Sequence, residues 1–92
     1  MLFMVIEHFH DGAAAAVYAR FRARGRLAPP GLEYVASWVE SDFSRCYQVM
    51  RCERREQLDQ WMSEWSDLVD FEVREVVASA DAAAHFAQGE QA

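Results

Sequence analysis

The chain is predicted to fold as an α+β, ferredoxin-like unit with the element order β-α-β-β-α-β. Three observations carry this. Two segments show the apolar spacing of a helix, four short ones are rich in β-branched and aromatic residues, and Gly, Pro and Asp clusters separate them. Such an order gives a four-stranded antiparallel sheet with both helices on one face. Right-handed crossovers then put strands one and three at the centre. The 92 residues are expected to form one domain, 1–92, ending in a helical or frayed tail from about residue 79.

Residues 2–9, Leu-Phe-Met-Val-Ile-Glu-His-Phe, read as the first strand. His10-Asp11-Gly12 breaks it, and Asp11 is placed to cap the first helix. From Ala13 to Arg24, Ala14, Val17, Tyr18 and Phe21 mark one face of that helix, which Gly25 ends. Ala28-Pro29-Pro30-Gly31 is a hard break before a second strand, Leu32 to Glu40. A short Ser41-Asp42 turn predicts a hairpin, with Phe43 to Cys52 returning antiparallel. Leu58, Trp61, Met62 and Trp65 give the second helix, from about Arg54 to Ser66, its apolar stripe. Leu68 to Val77 alternates as a half-buried strand, and a short helix is expected around Asp81–Ala87.

Composition narrows the function classes. Hydrophobic residues make up 52% and charged ones 26%, an ordinary globular balance. The net charge of −6 argues against a general nucleic-acid binder. The apolar run Leu2–Ile6 is too short to span a membrane and has no basic segment before it, so no membrane contact or signal peptide is expected. All nine basic residues are Arg, and Lys, Asn and Thr are absent, a bias that suggests a GC-rich, bacterial genome. Cys46 and Cys52 fall in one predicted strand, about 20 Å apart at strand rise. They cannot close a disulfide within the chain, and free thiols in a reducing cytoplasm are the expectation.

Two helices cover one sheet face, and the other should be polar. Here it is not. The first strand is apolar in both registers, with Leu2, Met4 and Ile6 on one side and Phe3, Val5 and Phe9 on the other. Strands two and three also carry apolar residues on both sides. Burying six such side chains gains on the order of 10 kcal/mol per subunit before the cost of association. A second copy packed sheet to sheet is the simplest cover, which predicts a homodimer.

Four stretches carry a family resemblance: Met1 to Phe9, Leu32 to Glu40, Arg45 to Cys52 and Trp61 to Val73. They resemble a small bacterial family filed as a domain of unknown function, over nearly the whole chain to about Ala84. In fold that family resembles the dimeric α/β-barrel superfamily. The superfamily includes cofactor-independent monooxygenases, lactone isomerases, haem-dependent enzymes and proteins with no known reaction. The resemblance implies the fold and the dimer, while the chemistry must come from the site.

Glu7 is the candidate catalytic residue. It shares a strand face with Phe3, Val5 and Phe9, expected to point into the dimer cleft, where desolvation would raise its pKa and suit it to act as a base. A strand-end carboxylate paired to an Arg or wet by solvent is the plainer alternative. Tyr34, Trp38 and Gln48, with Phe3 and Val5, are expected to line the same cleft as ligand-binding residues. The alternative for Tyr34 and Trp38 is interface packing. His8, His10 and Asp11 are too few for a convincing metal site, and no cofactor is implied. Arg20, Arg22, Arg24 and Arg26 read as cations that complement a helix C-terminus. Trp61 and Trp65 read as core. No phosphate-cradling loop, Ser-His-acid order or Cys-x-x-Cys motif is present. The leading expectation is a cytoplasmic homodimer binding a small apolar or aromatic molecule in its cleft. The alternatives are a cofactor-independent monooxygenase- or isomerase-like enzyme and an assembly module with a filled barrel.

Overall fold

The computed structural model describes residues 1–90. Its elements are β1 (Leu2–Phe9), α1 (Ala14–Arg24), β2 (Leu32–Val39), β3 (Arg45–Cys52), α2 (Arg55–Ser63), β4 (Val69–Val76) and α3 (Ser79–Glu90). The four strands form one antiparallel sheet in the order β2-β3-β1-β4, so strands one and three are central as expected. This is the predicted ferredoxin-like α+β arrangement. No helix among the described residues is long and apolar enough to cross a membrane.

Cross-strand partners share a face, so the register assigns every side chain. Phe3 faces Met50, Val5 faces Gln48 and Glu7 faces Cys46. These six are buried beneath the helices. Leu2, Met4, Ile6 and His8, opposite Arg51, Val49, Tyr47 and Arg45, lie on the uncovered face. The sequence pattern places Phe3, Val5, Glu7 and Phe9 on the uncovered side, and the structure reverses that assignment. A strand apolar in both registers gives no sign to its own alternation, and a one-residue slip exchanges the two faces.

The core sits between the sheet and α2. Phe3, Val5, Leu32, Met50, Cys52, Leu58, Trp61 and Trp65 form one buried cluster. The helices contribute unequally: α2 buries Gln57, Leu58 and Trp61, whereas α1 buries no residue fully. α2 also ends earlier than expected, at Ser63, and Trp65 sits in the turn beyond it. Both cysteines are free and buried.

The β2–β3 connection is longer than a two-residue turn. Asp42 accepts hydrogen bonds from the Ser44 backbone N–H and hydroxyl, and Phe43 takes φ 63°, so β3 begins at Arg45 rather than at Phe43. α3 runs from Ser79 to Glu90, beyond the short helix expected around 81–87. Its residues are exposed from Ser79 to Gln88 except Ala82. The described chain measures 53 × 30 × 18 Å.

Candidate functional site

A half-open cavity of about 140 Å³ lies between the sheet and α1. Glu7, Cys46 and Gln48 come from the two central strands, and Ser37 from β2. Val17, Tyr18 and Phe21 of α1 form the outer wall, and Trp61 and Trp65 close the side toward α2. The helical stripe read from sequence as α1's core face is therefore mostly pocket lining. Tyr18 and Phe21 line this cavity and are 39% and 41% exposed.

Glu7 is 9% exposed among these aromatics. Burial pushes its pKa up from the ordinary carboxylate value, and the Cys46 thiol and the Arg26 guanidinium hold it partly back. Cys46 responds in the same direction. Burial, reinforced by the neighbouring Glu7 charge, pushes its thiol up to about 12. At neutral pH it is a protonated thiol and a poor nucleophile. Gln48 donates to the Met50 sulfur at 3.3 Å, a weak acceptor, which leaves the amide oxygen without a protein partner among the described residues.

The segment between α1 and β2 supplies the site's cation. Gly25, Leu27 and Gly31 all have positive φ, giving a tightly folded loop. Trp61 and Trp65 each donate an indole N–H to the Arg26 carbonyl at 3.0 Å, which pins the loop to α2 and the turn after it. The Arg26 guanidinium then lies 3.7 Å from the Tyr34 ring centroid and 5.2 Å from that of Phe21. Stacking between two rings fixes the direction of a long side chain that would otherwise sample solvent. Sequence reading groups Arg26 with the helix-end arginines. The signal that separates it is its place beyond Gly25, outside the helix.

The structure distributes the sequence-predicted residues over three environments. Glu7 and Gln48 come together in the pocket, though beneath the helices rather than in an inter-sheet cleft. Phe3 and Val5 are core, 3% and 0% exposed. Tyr34 and Trp38 part company because β2 is irregular between Tyr34 and Ala36. Tyr34 pairs with Met50 on the helix side, while Trp38 pairs with Tyr47 on the open side. The missed lining residues, Tyr18, Phe21, Arg26 and Cys46, all belong to segments whose pattern alone reads as core or solvated surface.

Elsewhere, His8 meets Glu72 at 3.5 Å and His10 meets Asp70 at 3.0 Å. No cluster of metal-binding side chains occurs among the described residues. Arg20, which sequence leaves without an acid on its own helix, reaches Asp67 at 2.6 Å and the Glu64 carbonyl at 2.9 Å.

The chain is thus a small α+β protein with a split-βαβ sheet and an aromatic-lined cavity that holds a buried acid beneath one helix. The chain belongs to the family described as domain of unknown function DUF3303, whose model matches residues 1–90. Neither a curated protein nor a solved structure matched it.

Proposed function

We propose that this protein binds a small apolar or aromatic molecule in the pocket between its sheet and α1, and that it works as a homodimer joined through the open sheet face. The observation that carries the ligand reading is the company Glu7 keeps. A carboxyl 9% exposed, with Gln48 and a ring-stacked Arg26 in the same aromatic pocket, is costly to maintain for packing alone. It matches the design of small-molecule sites, apolar walls with a few convergent polar groups. The volume of about 140 Å³ suits a single ring, since a cavity of about 150 Å³ takes up benzene. Trp61 and Trp65 line it and report on occupancy. Single-ring aromatics carrying a hydroxyl or carboxyl should quench indole fluorescence saturably. Val17→Trp, which fills the pocket from α1, should abolish that quenching. Absence of saturable quenching in the natural chain would overturn the ligand reading.

A second reading, catalysis without a cofactor, is favoured by the direction of the Glu7 shift. A desolvated carboxylate is a stronger base at neutral pH, able to take a proton from a C–H or O–H beside a carbonyl. Arg26 would stabilise the oxyanion that forms. This is the chemistry of monooxygenase- or isomerase-like enzymes that use no cofactor. Turnover of any substrate should fall by at least about 100-fold in Glu7→Gln, and retention of full activity would remove Glu7 from the reaction.

The dimer rests on the open face, where Leu2, Met4, Ile6, Val49, Tyr47 and Trp38 share one side of the sheet. Trp38 is 59% exposed there. Contiguous apolar surface of this kind marks an interaction site.

A further inference from the structure

The pocket has an apolar continuation. Tyr18 and Val39, which line it, also line an open groove with Ala14, Ala15 and Phe43. The sequence explains why the groove is open. The run Ala13-Ala14-Ala15-Ala16 puts only methyl groups on the first turn of α1, so no side chain reaches across to the end of β2. At the outer end Phe43 stands 65% exposed, held in the turn at φ 63°. A bulky residue at such a φ is uncommon and persists only where its surroundings hold it.

Polarity is ordered along this path. The inner end presents a carboxyl, an amide and, to one side, a guanidinium; the outer end presents methyls, Val39 and two rings. We infer that the ligand is an elongated amphiphile, an aromatic ring bearing a hydroxyl head with an apolar tail on the far side. The head meets Glu7 and Gln48 at the sheet, and the tail leaves between Tyr18 and Val39 to lie on Ala15 and Phe43. A ring hydroxyl matches the inner end because it both donates, to the Glu7 carboxylate, and accepts, from Arg26. An alkyl tail matches the outer end because the walls of the groove are almost wholly apolar.

This inference rests on the ligand reading above, and a para-alkylphenol series separates the two. Phenol, 4-ethylphenol, 4-butylphenol and 4-hexylphenol are titrated against the full chain, with Trp61 and Trp65 fluorescence as the readout. Each methylene placed in the groove should tighten binding by about two- to fourfold. In Ala15→Trp the groove is filled from an exposed helix position. Phenol should bind there within about twofold of the natural chain, and the gain per methylene should vanish, as the groove contacts supply it. If phenol binds but longer tails add nothing, the groove is not a subsite and the ligand reading stands alone. If the gain persists in Ala15→Trp, it is unspecific partitioning and the inference is wrong. If no member of the series binds, both readings fall.

Discussion

Glu7 decides how the protein responds to pH. Its carboxyl is harder to ionise in the fold than in the unfolded chain, mainly because of burial. A group raised in this way adds stability that is complete below its unfolded pKa and is lost as the pH climbs through its folded one. Wild-type stability should therefore decline from about pH 4 toward neutrality through this residue, where most carboxylates act in the opposite sense. Glu7→Gln keeps the shape and removes the charge. It should be more stable than the natural chain at pH 7, with the difference disappearing at about pH 4; urea midpoints at the two pH values measure it. Equal midpoints at pH 7 would mean that the carboxylate is solvated after all. Cys46, at about 12, stays protonated throughout that range, so alkylation at pH 7 should be slow while the fold is intact.

At the scale of elements, the α1–β2 loop ties the pocket to the core. Gly31 has φ 89°, and a Cβ there would stand 2.0 Å from Gln57 Nε2, which itself donates to the Pro30 carbonyl at 3.2 Å. Gln57 also accepts from the backbone N–H groups of Glu53 and Arg54, closing the start of α2. Gly31→Ala should cost about 1–3 kcal/mol in urea unfolding and weaken ligand binding, since Arg26 sits on the same loop. A cost under about 0.5 kcal/mol would show that the loop relaxes freely. Element order, both main helices and all four strands can be read from sequence because periodicity and breakers agree locally. Which face of β1 is covered cannot, since Leu2-Met4-Ile6 and Phe3-Val5-Phe9 are equally apolar. The pairing of Tyr34 with Trp38 fails for a different cause: even spacing implies one face only in a regular strand, and β2 is irregular between them. Of the site, Glu7 and Gln48 are readable as a pair, whereas Arg26 depends on a loop geometry that no period encodes.

At the scale of the whole molecule, the sheet is covered on one side only. The open face carries Trp38 near its edge and Ile6 and Met4 on its central strand. Trp38→Glu puts a charge where the proposed dimer buries a ring, so light scattering at micromolar concentration should report a dimer for the natural chain and a single chain for the variant. The pocket lies on the opposite side of the sheet and should keep its ligand in the variant. A natural chain of single-copy mass would leave the apolar face without its proposed partner.

The two helices that roof the sheet are held down unequally, and this sets which side of the pocket opens first. α2 is anchored by Leu58 and Trp61, while α1 buries no residue and rests on a partly empty space. Opening α1 therefore breaks the Arg20 contacts to Asp67 and the Glu64 carbonyl and the Val17 packing, but leaves β1, bonded on both flanks, undisturbed. In hydrogen exchange the amides of α1 should trade early, through a local excursion, with those of β1 released only on global unfolding.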